Sequence, residues 1–157
     1  MTRAKLRKLT LLLPLMLHLS TCFADIEEVT PLSFGSIVVL SNDSVESISI
    51  NHNGIVSSTQ AIMTVTPPTV GEFLLSNFPL NQRLFLSAQS IQSTTNSAVY
   101  STEQFVMSNV DVPNVIFTDG NGNAQVNVGG TLSTSGSGNK SFVDTAYHIR
   151  FQLSVDY

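Results

Sequence analysis

The last twelve residues constrain this chain more than any other stretch. From Ala146 to Tyr157, one parity holds Tyr147, Ile149, Phe151, Leu153, Val155 and Tyr157. The other holds Ala146, His148, Arg150, Gln152, Ser154 and Asp156. Successive side chains of an extended chain point to opposite faces, so this order reads as a β-strand with one apolar and one mostly polar face. No segment shows a comparable helical period. A chain that closes on such a strand needs a second layer over its apolar face.

The remainder repeats the theme in shorter pieces. Residues 34–40 form a compact β-branched run and read as the first strand, after an acidic lead-in at 25–31 without period. In 45–50, Ile alternates with Ser. His52-Asn53-Gly54 then marks a hairpin, because Asn-Gly accepts positive φ. Residues 55–60 return, 61–66 form another strand, and Pro67-Pro68 stops it. Phe73-Leu74-Leu75 and Leu84-Phe85-Leu86 flank a turn at 77–81 and read as neighbouring strands. Residues 90–102 read as an exposed loop or short edge strand. Strands are expected at 105–107, 115–117 and 124–132, the last interrupted at Gly129-Gly130 by a bulge or close backbone approach. Residues 133–141 read as a flexible Gly/Ser loop. Eight to ten short strands without a helix predict an all-β, Ig-like or pilin-like sandwich, one domain over residues 25–157.

Residues 1–24 stand apart. Arg3, Lys5, Arg7 and Lys8 precede the apolar run 9–19, and small residues follow up to Ala24. That order predicts a secretory signal peptide cut between Ala24 and Asp25. Leu19-Ser20-Thr21-Cys22 offers an alternative, lipidation at Cys22. The apolar run is too short to span a bilayer and no later stretch is long enough, so no transmembrane helix is expected in the processed chain. The expected destination is the periplasm, cell surface or surroundings of a Gram-negative bacterium. Processing leaves Arg83, Lys140 and Arg150 against eleven acids, a net charge of −8. Such a surface repels phosphates, so neither nucleic acid nor anionic lipid is an expected partner. With Cys22 removed no internal disulfide can form, and core burial alone must hold the domain.

Chemistry is sparse. No Gly-x-Ser-x-Gly occurs. His52 reads as a solvated turn residue and His148 as a surface residue on the closing strand. Asp119, Asn121 and Asn123 have the opening spacing of a calcium loop. However, Ala124 replaces its glycine and Gly130 stands where a bidentate glutamate belongs, and an ordinary Gly/Asn hairpin accounts for the same letters. The expectation is no catalytic residue, no cofactor, no metal and no enzyme.

Several motifs carry a family resemblance. Phe34-Gly35-Ser36-Ile37, Glu72-Phe73-Leu74-Leu75-Ser76-Asn77, Val128-Gly129-Gly130-Thr131-Leu132 and Leu153-Ser154-Val155-Asp156-Tyr157 resemble the bacterial exported domain-of-unknown-function family 4402. The resemblance covers nearly all of residues 25–157, in order. It implies an exported β-sandwich of pilin-like or coat-protein-like character, without catalytic residues to carry over. Phe34, Gly35, Phe73, Gly129, Gly130, Leu132, Val155 and Tyr157, with Phe151 of the closing strand, are then structural signatures. Asn77 and Ala146 stand where glycine is usual. The expected function is structural or adhesive, through homo-assembly or a cell-surface partner. Alternatives are a module binding a surface glycan or envelope component through loops 90–102 and 133–141, and a small outer-membrane β-barrel. The earlier strands are short for a barrel and lack aromatic girdles.

Overall fold

The computed structural model describes residues 23–92, 103–139 and 141–157. Residues 1–22 of the proposed signal segment, Cys22 among them, lie outside that range. Eleven strands run through the described residues. The first six are β1 (Asp25–Thr30), β2 (Ser36–Val39), β3 (Ser47–Ile50), β4 (Val56–Ser58), β5 (Ile62–Thr66) and β6 (Gly71–Ser76). There follow β7 (Arg83–Gln92), β8 (Val106–Asp111), β9 (Val115–Phe117), β10 (Ala124–Ser133) and β11 (Arg150–Asp156).

β10 is the spine. Residues Ala124 to Val128 pair with β6, and β6 pairs with β1. From Gly129 to Ser133 the same strand has β8 on one edge, while Gly130 to Ser133 have β3 on the other; β3 in turn pairs with β4. These strands make one six-stranded sheet. Facing it are a three-stranded sheet, β11-β7-β9, and a two-stranded sheet, β2-β5, every pairing antiparallel. Val126, Val128 and Leu132 share one parity of β10 and are all buried. Val126 and Val128 pack with Leu75, Phe78, Leu84 and Leu86, and Phe151 and Val155 close that cluster. Leu132 packs with Phe34, Ile48, Ile50, Ile62 and Phe105. Leu32 touches both clusters. The molecule is therefore a two-layer β-sandwich whose second layer is split into two small sheets.

Several expectations change. The acidic lead-in is a strand: β1 has no period of its own and five of its six residues are exposed, but the open edge of β6 supplies the backbone partners it needs. The 34–40 run yields the second strand rather than the first, and only from Ser36, because Gly35 turns the chain at φ 70. β6 and β7 are not partners. Asn77 and Asn81 take positive φ (62 and 52) and carry the chain from one layer to the other. That crossing is tied down where Phe78 N–H donates to the Gly122 carbonyl and Asn81 N–H to that of Asp119. Asn77 thus adopts the backbone a glycine would, which explains its place in the motif. β10 runs unbroken through Gly129-Gly130, the close approach being real. A Cβ on Gly129 would collide with the Ile50 carbonyl, and one on Gly130 would press on Met107 and the Asn109 carbonyl. The closing strand begins at Arg150, so His148 precedes it, and its apolar parity is half-buried.

Candidate functional site

Two turns use one design. In the β3–β4 hairpin, Asn51 N–H donates to the Ile55 carbonyl, Asn51 Oδ1 accepts from the N–H groups of Asn53 and Ile55, and Gly54 N–H donates to the Asn51 carbonyl. Residues 119–123 repeat every bond. Asp119 Oδ1 accepts from Asn121 and Asn123, both at 2.8 Å, and Gly122 replaces Gly54 with φ 79 against 82. The side-chain oxygen imitates a backbone acceptor, and glycine takes the left-handed position. Asp119, Asn121 and Asn123 are thus accounted for by a turn, though one that joins β9 to β10 across the layers, not a hairpin. The N–H groups of Asn123 and Asn121 also hold the Asp119 carboxyl below its ordinary pKa. Among the described residues no group of three or more His, Cys, Asp or Glu lies together as a metal would require.

His52 is more than a solvated turn residue. Its Nδ1 lies 2.7 Å from Asp111 Oδ2, and its backbone N–H donates to the same oxygen at 2.8 Å. The pair ties the hairpin to the end of β8, with both side chains about one-third exposed (30% and 34%). Sequence could not show this, because 59 positions separate the two. His148 is exposed, as expected of it, although in a loop.

The 133–141 segment is anchored where it was expected to be flexible. Ser135 and Ser137 hydroxyls both donate to the buried Glu103 carboxylate at 2.6 Å, and Asn42 accepts from the N–H groups of Gly136 and Gly138. Of the loop 90–102, residues up to Gln92 complete β7; the rest lies outside the described residues.

A groove of about 550 Å³ runs between residues 31–37 and residues 142–149. Phe105 and Leu132 form its floor. Three of its aromatic rings meet one another: Phe105 stacks on Phe142 (4.3 Å between centroids) and meets Tyr147 edge-on (5.0 Å). Tyr147 Oη is engaged by the Val143 backbone.

The signature residues serve structure. Phe34 and Leu132 sit in one core cluster, and Phe73, Phe151 and Val155 in or against the other. Phe73 and Phe151 meet edge-on at 5.9 Å, and Tyr157, though exposed, meets Phe78 at 5.3 Å. A Cβ on Gly35 would collide with the Thr66 carbonyl. Ala24 immediately precedes Asp25, the first residue of β1.

The most distinctive surface is the outer side of β2-β5. Val39 and Ile62 pair and turn inward, while Val38 pairs with Met63 and both turn out. Met63 and Val65, on one parity of β5, are 51% and 63% exposed, and Leu40 beside them is 62% exposed. No Asp, Glu, Lys or Arg occurs between residues 47 and 71. The patch is hard to see in sequence because residues 61–66 show no clean alternation that assigns them a face. The charge-free run was the signal that could have found it.

Residues 24–157 match the model of a family described as Domain of unknown function (DUF4402). The chain belongs to that family. No curated protein and no solved structure matches it. The described residues of this DUF4402 chain form the all-β sandwich set out above. Among its described residues no helix is long and apolar enough to cross a membrane.

Proposed function

We propose that this chain is an exported structural or adhesive protein that works by surface contact and not by catalysis. The observation that carries the reading is the outer face of β2-β5. It joins exposed Val38, Leu40, Met63 and Val65 on one small sheet free of charged residues, in a chain whose residues 25–157 carry a net charge of −8. Contiguous apolar surface of this kind marks interaction sites. The leader-like order of residues 1–24 supports export, and the family match begins at Ala24, beside the proposed cut. The groove over Phe105 and Leu132 supports a second reading, a module for a small envelope component. Phe105, Phe142 and Tyr147 there pack on one another, and contact through the sheet is preferred.

The test is production of the full chain in a Gram-negative host. The expected product begins at Asp25, lies outside the cytoplasm and is retained on cells. The double variant Val38→Lys with Val65→Lys should lose that retention without a change in melting temperature. An unprocessed cytoplasmic product, or retention indifferent to both lysines, would overturn the reading.

A further inference from the structure

We propose that the outer face of the sheet β11-β7-β9 binds a polysaccharide in which sugars bearing carboxylates alternate with neutral ones. The inference goes beyond the contact reading above, since it concerns the other small sheet and a different chemistry. Leu84 and Leu86 turn into the core, so Arg83, Phe85, Ser87 and Gln89 share the outward parity of β7, and all four are exposed. At about 3.3 Å per residue they form a row roughly 20 Å long, suited to a chain rather than a single sugar. Neighbouring strands widen the row. Phe117 of β9 lies opposite Arg83, and Ser154 and Gln152 of β11 lie opposite Ser87 and Gln89.

Ring surface, hydrogen-bonding capacity and charge all fit such a glycan. Phe117 is 66% exposed. An aromatic face is slightly negative, and the C–H bonds of a pyranose lie well against it. Among the described residues the side chains of Ser87, Gln89, Gln152 and Ser154 have no hydrogen-bond partner in the protein. Their amides and hydroxyls are left for sugar hydroxyls. The three strands hold two of the three basic residues of 25–157, Arg83 and Arg150, and one of its eleven acids, Asp156. The sheet thus carries +1, while the rest of 25–157 carries −9. Arg83 Cζ sits 4.9 Å from the centroid of the Phe85 ring. Among the described residues the one ion pair is His52–Asp111, so this guanidinium is seated on a ring with no carboxylate of its own. Its planar fork fits a ligand carboxylate. A densely charged polyanion is repelled by the surrounding acids. Carboxylates spaced by neutral sugars meet chiefly the local charge.

Isothermal titration of the exported chain with hyaluronan oligosaccharides, which carry a carboxylate on every second sugar, tests the site. Binding is expected, and reducing those carboxyls to alcohols should weaken it about tenfold or more, the worth of a charged hydrogen bond. Arg83→Gln should lose as much against the native oligosaccharide and almost nothing further against the reduced one, since both changes remove the same contact. Phe117→Ala should weaken binding about threefold or more. Both variants should keep the parent's melting temperature. Val38→Lys with Val65→Lys should bind as the parent does, which separates this site from the β2-β5 contact. The proposal would be overturned by an absence of binding, by an Arg83→Gln variant that binds as the parent does, or by binding lost with the two lysines. Single-stranded oligothymidylate bound as tightly as hyaluronan would overturn it too.

Discussion

Gly129 sits where β10 passes the end of β3, and its Cα faces the Ile50 carbonyl and the Asn51 backbone. Backbone there cannot yield as a flexible side chain would. Gly129→Ala should therefore cost about 1–3 kcal/mol by urea denaturation, the usual range for overpacking; an unshifted midpoint would show that the strands can part cheaply. Asp119 makes a charge-dependent prediction. Its folded pKa is depressed, first by the Asn123 N–H and then by that of Asn121. Its contribution to stability is thus complete above the unfolded value, about 4, and is lost as pH falls through the folded one. Asp119→Asn keeps an accepting oxygen but no charge. It should be less stable than the parent at neutral pH, with the gap closing below about pH 4; a gap independent of pH would assign the effect to shape alone.

Among elements, β11 and β1 make opposite cases. β11 announces itself by alternation, and its half-buried apolar parity reaches across to the large sheet through Phe151 and Phe73. A double-mutant cycle with Phe73→Ala and Phe151→Ala should return a coupling of about 0.5–1.5 kcal/mol, the worth of an edge-on aromatic pair beyond its burial. Zero coupling would mean that the two layers do not meet there. β1 has no apolar parity to read, and β6 makes it a strand. The loop after β10 was equally opaque. Its Gly and Ser residues suggest freedom, yet Glu103, Asn42, Ser135 and Ser137 bind it down through bonds that span about thirty to ninety positions. Composition reports what a segment can do alone, and distant partners decide what it does.

At the scale of the molecule, β10 belongs to both core clusters and Leu32 bridges them, so the split layer does not make two folding units. Leu84→Ala in one cluster and Leu132→Ala in the other should each cost roughly 2–5 kcal/mol and lower the same single thermal transition. Two separate melting steps would refute one cooperative core. Sequence by itself determined the all-β class, the presence of turns at 52–54 and 119–123, the close approach at Gly129-Gly130 and the apolar closing strand. Each is a local matter, set by side-chain parity or by the φ a residue tolerates. The bonds from Asn51 and Asp119 that build those turns, and the non-positive φ of Asn53, came from the structure. Tertiary structure alone decided that β6 and β7 part company, that β10 changes partners midway, that His52 meets Asp111 and that Val38 pairs with Met63 on an exposed face. Strand pairing and edge exposure depend on residues far apart in the chain, and no local pattern encodes which backbone will arrive to complete a ladder.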